Sequence, residues 1–124
     1  MKTKIVYSLL FTLFLLSCED KADIRVVNNL PNVTLNNIVF CKQSVAWEIL
    51  PGQTKGITIY GDDDLSFPLA GPLEFIITSG DDQIFLKTRE GYSLMEGETL
   101  TIRIGPDTEV YNPQSQTFKI KQLK

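Results

Sequence analysis

Histidine is absent from the chain, and that absence removes more chemistry than any other feature of its 124 residues. Without imidazole there is no histidine base, acid or metal ligand. Serine-histidine and cysteine-histidine nucleophile systems are excluded, as are the usual zinc sites built from histidine and cysteine. Cysteine is nearly as scarce, with only Cys18 and Cys41. Basic clusters are missing too: 12 Lys and Arg stand against 15 Asp and Glu, for a net charge of −3. Nucleic-acid binding depends on cations that neutralise phosphates, so this balance argues against it. It equally argues against adhesion to anionic lipid by charge alone. No internal repeat, low-complexity stretch or clear amphipathic helix is visible.

What is present begins with a positive start at Lys2 and Lys4, followed by an apolar run from Ile5 to Leu16 broken only by Ser8 and Thr12. This is the layout of a secretory signal. As a helix the run would measure roughly 18 Å, against roughly 30 Å for a hydrocarbon core, so it is too short to span. Apolar residues surround its axis, and the one-sided stripe of a buried surface helix is missing.

The run ends in Leu15-Leu16-Ser17-Cys18, which resembles the lipobox of bacterial lipoproteins. That resemblance implies cleavage before Cys18 and a diacylglycerol on its thiol. Thiol chemistry suits such a thioether, and two or more acyl chains give stable anchoring where one does not. Removal of residues 1–17 leaves 107 residues with ten basic and fifteen acidic side chains, a net charge of −5. That length suits one modest domain. Residues 18–23 then read as a lipidated acidic tether and 24–124 as the domain. In lipoproteins of the Bacteroidota, acids just after the cysteine resemble an export signal to the outer face of the outer membrane. Here Lys21 and Ala22 interrupt them, so both the periplasmic and the surface-exposed faces stay open.

The remainder alternates with period two between turn residues, the pattern of strands. Ile24 and Val26; Val45, Trp47 and Ile49; Ile57 and Ile59; Leu73, Phe75 and Ile77; Ile84 and Leu86; Leu100, Ile102 and Ile104; Phe118 and Ile120 mark inward faces. The run Leu35 to Cys41 changes phase near Asn36 and Asn37, which predicts a bulge. Turns are expected at Pro51-Gly52, Ser79-Gly80-Asp81-Asp82, Glu96-Gly97 and Gly105-Pro106-Asp107. The expectation is an all-β fold, a single antiparallel β-sandwich of about seven to eight strands.

One hairpin is specified in detail. With its tip at Gly80-Asp81, Ser79 faces Asp82, Ile77 faces Ile84 and Phe75 faces Leu86, giving one apolar face. The other face pairs Glu74 with Lys87, Thr78 with Gln83 and Ile76 with Phe85.

The runs "ADIRVVNN", "WEILPGQT" and "GETLTIRI" resemble those of small uncharacterised lipoproteins of the Bacteroidota with immunoglobulin-like or prealbumin-like sandwiches. The resemblance implies a fold and an address in the cell envelope, and no activity. An immunoglobulin domain usually bridges its sheets by a disulfide, whereas Cys41 has no thiol partner once Cys18 is lipidated.

The remaining chemistry rests on carboxylates at Asp62-Asp63-Asp64, Asp81-Asp82, and Glu96 with Glu98. A carboxylate hydrolase would need two acids facing across a cleft. Every cluster adjoins a glycine (Gly61, Gly80 or Gly97), which reads as an exposed turn. Three adjacent acids at Asp62 to Asp64 also lack the alternate spacing of a calcium loop. Cys41, beside Ile38, Val39 and Phe40, reads as a buried, inert thiol. Trp47 shares the parity of Val45 and Ile49 and reads as core. No catalytic, cofactor-binding or metal-binding residue is assigned and no cofactor is called for. Cys18 is the lipidation site, and Ile76, Phe85 and Tyr60 form the candidate partner surface. The sequence thus points to a non-enzymatic envelope module for a protein or glycan partner. The alternatives are a structural or assembly subunit of an envelope complex, and a histidine-free carboxylate hydrolase.

Overall fold

The computed structural model describes residues 20–113 and 117–119. The signal segment, Cys18 and Ile120 lie outside them. The strands are β1 (Lys21–Asn28), β2 (Thr34–Phe40), β3 (Gln43–Ile49), β4 (Thr54–Tyr60), β5 (Leu69–Gly71), β6 (Leu73–Ser79), β7 (Asp82–Thr88), β8 (Tyr92–Leu94), β9 (Thr99–Ile104), β10 (Glu109–Tyr111) and β11 (Thr117–Lys119). The chain is all-β: no helix occurs among the described residues, and so none long and apolar enough to cross a membrane.

Seven to eight strands was an undercount. Alternation misses β5, β8 and β10, each three residues long, because so short a run shows hardly one period of the pattern. The first strand also begins at Lys21 and takes in Lys21, Ala22 and Asp23, residues expected in the tether. They pair with Tyr60, Ile59 and Thr58 of β4, and Ala22 is buried.

Three sheets form, in the orders β4-β1-β9, β11-β10-β7-β6-β2-β3 and β5-β8. Pairing is antiparallel except between β1 and β9, which run parallel with Val26 opposite Ile102. This departs from the wholly antiparallel expectation. Parallel neighbours need a long connection, and here most of the domain intervenes between β1 and β9.

Alternation explains the core. In β1 the residues Ala22, Ile24, Val26 and Asn28 are buried and those between them are not. Side chains from both larger sheets meet in one cluster, which includes Ile24, Ile59, Ile102 and Ile104 from the first and Leu35, Phe40, Phe75, Ile77 and Leu86 from the second. Burial of side chains of this size contributes about 1.5–3 kcal/mol each.

The expected turns recur. Gln53 N donates to Leu50 O at 3.0 Å across Pro51-Gly52, Glu98 N to Met95 O at 3.1 Å across Glu96-Gly97, and Thr108 N to Gly105 O at 3.1 Å across Pro106-Asp107. The bulge falls in β2, where pairing with β6 shifts register between Asn36 and Val39. Asn37 there has φ 49°, a left-handed conformation that asparagine tolerates better than most residues.

Candidate functional site

The β6–β7 hairpin adopts the expected register throughout, from Ser79 opposite Asp82 to Glu74 opposite Lys87. Its turn places Gly80 first of the two central residues with φ 63°, the position that a type II′ turn reserves for glycine. The turn fixes which face each side chain takes. Phe75 and Leu86 are fully buried, whereas Phe85, paired with Ile76, is 40% exposed.

Register extends this pair into a row across the sheet: Glu48 of β3 faces Asn36 of β2, Asn36 faces Ile76 of β6, and Ile76 faces Phe85 of β7. The row is flanked by polar contacts. Thr78 Oγ1 lies 2.6 Å from Asn36 Oδ1, a hydroxyl-to-amide hydrogen bond, and Lys87 lies 3.7 Å from Glu74. The result is a small apolar patch within a polar frame, the general make-up of an interaction surface. In β11, Phe118 is the register partner of Val110, so this strand extends the edge of the sheet.

Trp47 is not in the core; it is 77% exposed. The bulge is the cause. Between the pairs Asn36–Glu48 and Ile38–Ala46 stand Asn37 and Trp47, and the left-handed turn at Asn37 breaks the alternation on which the core placement relied. Trp47 and Glu48 are consecutive exposed residues, while Val45 and Ile49 stay buried. Tyr60 is 66% exposed but belongs to β4, in the three-stranded sheet. The structure therefore brings Ile76 and Phe85 together and leaves Tyr60 on a different sheet.

The acids occupy turns. Asp62 Oδ1 accepts a hydrogen bond from Asp64 N at 2.8 Å, and Asp62 N donates to Leu65 O at 2.8 Å, so the first carboxylate caps its own loop. Asp62, Asp63 and Asp64 are exposed. Among the described residues no group of three His, Cys, Asp or Glu could hold a metal ion. Cys41 lies in the β2–β3 turn, outside the strand expected to hold it, and is half-buried. Burial, then the charge of Glu74, pushes its thiol above the ordinary range. It stays protonated at neutral pH, a poor nucleophile.

One feature lay beyond sequence reasoning. On the three-stranded sheet a hollow of about 470 Å³ lies along β1 and β4, lined among others by Asp23, Arg25, Thr54, Gly56 and Thr58. Its only sequence signal is a glycine within an alternating strand, and the side chains around it converge only once β1 and β4 are paired. Compared with protein-family models, curated proteins and solved structures, the chain finds no match.

Proposed function

We propose that the mature protein is a non-enzymatic lipoprotein of the cell envelope, held at the outer membrane by lipid on Cys18, whose β-sandwich binds a protein or glycan partner. The runs "ADIRVVNN", "WEILPGQT" and "GETLTIRI", which resemble those of small Bacteroidota lipoproteins with immunoglobulin-like or prealbumin-like sandwiches, support this address. The observation that carries the binding reading is exposed Phe85, paired with half-buried Ile76 and held outward by a hairpin whose other face carries the buried Phe75 and Leu86. The placement of Asp62 to Asp64, Asp81-Asp82 and Glu96 with Glu98 in separate turns supports a role without catalysis.

A role as a structural or assembly subunit is the second reading, and the start of β1 favours it. Only Glu19 and Asp20 separate Cys18 from Lys21, so the domain would ride within about 10 Å of its anchor at roughly 3.4 Å per residue. Such a module is positioned to brace a neighbour at the bilayer.

Cys18→Ala tests the anchor. The wild-type protein should take up a fatty-acid analogue and fractionate with membranes, and the variant should do neither. An unlabelled, soluble wild-type protein would overturn the proposal.

A further inference from the structure

The outer face of the three-stranded sheet has a chemistry of its own. Along β4 the residues Thr54, Gly56, Thr58 and Tyr60 face Val27, Arg25, Asp23 and Lys21 of β1. On the other side of β1, Thr99, Thr101 and Arg103 of β9 face Asp23, Arg25 and Val27. This face carries Lys21, Arg25 and Arg103 against one carboxylate, Asp23. The sheet is thus locally cationic in a chain that is acidic as a whole.

Gly56 lets β4 lie close against β1. A Cβ at this position would overlap the Ile24 carbonyl oxygen and lie 3.0 Å from Cγ of Arg25. Only glycine lets the strands approach so closely, and the hollow of about 470 Å³ lies alongside this close approach. Arg25 borders the hollow and makes no ion pair among the described residues. Thr58 Oγ1 donates to Asp23 Oδ1 at 2.5 Å, which leaves the second Asp23 oxygen free to accept.

We infer that this hollow binds an acidic polysaccharide, with a uronate carboxylate on the Arg25 guanidinium, opposite Gly56, and a sugar hydroxyl on Asp23. Guanidinium recognises carboxylate through two parallel hydrogen bonds. Thr54 and Thr58, which share the face of Arg25, offer hydroxyl partners. Asp23 selects the ligand class. A bare polyanion would be repelled by it, whereas a sugar hydroxyl would donate to it. The ligand must therefore carry hydroxyl groups as well as negative charge. Tyr60 stands four residues along the same face, about 13 Å away at roughly 3.3 Å per residue, and offers an exposed ring to a further sugar.

The test uses the full chain purified in detergent, so that its result does not depend on whether Cys18 carries lipid. Equilibrium binding is measured at low ionic strength to polygalacturonate, to dextran as the neutral polymer, and to a thymidine oligonucleotide as the phosphate polymer. Polygalacturonate should bind and the other two should not compete. Arg25→Gln should weaken binding about tenfold or more, as loss of a charge-assisted bidentate contact does. Asp23→Ala is the discriminating variant. A general cationic patch would bind a polyanion more tightly once this negative charge is gone, whereas a sugar site loses its hydroxyl acceptor and binds more weakly. Thermal melts of both exposed-face variants should match wild type. Tighter binding by Asp23→Ala, an unchanged Arg25→Gln, equal competition by the oligonucleotide, or no binding of polygalacturonate would each overturn the inference.

Discussion

Asn28 is fully buried at the end of β1 and uses its whole amide. Its Nδ2 donates to Val33 O at 2.8 Å and Ile49 O at 2.9 Å, and its Oδ1 accepts from Leu30 N at 3.0 Å. Its backbone also exchanges hydrogen bonds with the turn after β3, through Gly52 N and Gln53 O. One side chain therefore satisfies three backbone groups of two segments. Asn28→Ala should cost about 3 kcal/mol, because each buried group left unpaired carries a penalty of roughly 1–3 kcal/mol. Asn28→Asp keeps the volume but turns an acceptor towards two carbonyls, and it should destabilise at least as much. Urea denaturation checks both; a tolerated Asp would show that Asn28 only fills space. Residue type alone in the run Val27-Asn28-Asn29 does not mark which asparagine is buried, since asparagine in a polar stretch reads equally as a turn. The inward parity of Ile24 and Val26 does reach position 28, and that was the available signal.

Two hairpins show why elements differ in how far the sequence reveals them. The β6–β7 hairpin was legible to the residue, because Gly80 marks the turn and both flanking strands alternate cleanly. The β2–β3 hairpin turns through Cys41 and Lys42, both in the left-handed region at φ 49° and 67°, with Phe40 opposite Gln43. A two-residue turn of this kind normally takes Asn-Gly or similar residues, so Cys-Lys gave no sign of it. The conformation costs a non-glycine residue about 1–2 kcal/mol. Lys42→Gly should therefore stabilise the fold by about 0.5–1 kcal/mol, after the extra entropy of glycine in the unfolded chain is subtracted. Its urea midpoint should rise; a fall would mean that Lys42 makes contacts worth more than the strain. The Asn37 bulge was legible as a phase change in β2, but its effect on Trp47 in the neighbouring strand was not. That effect crosses between strands and appears only with the register.

At the scale of the molecule, two sheets that share a core turn unlike surfaces to the outside. The three-stranded sheet presents threonines and cations, and the six-stranded sheet presents Ile76 and Phe85 between polar neighbours. The all-β class was legible because alternation recurs along most of residues 24–104. The parallel β1–β9 pairing was not, since alternation says which face a residue takes but not which strand lies beside it. The acidic polysaccharide and the partner on the hairpin face would occupy different sheets, so either can fail without the other.

If the proposed function holds, exposed Phe85 serves a partner while buried Phe75 holds the fold together. A photo-crosslinking side chain in place of Gln83, next to Phe85 on the same face, reports association in intact cells, and the melt of each purified variant reports stability. Phe75→Ala should cost about 3–5 kcal/mol, as loss of a buried aromatic does. Phe85→Ala should abolish the crosslinked adduct and leave the melt nearly unchanged, the behaviour of an interface anchor. An adduct that survives Phe85→Ala, or a Phe85→Ala protein destabilised as severely as Phe75→Ala, would contradict the account.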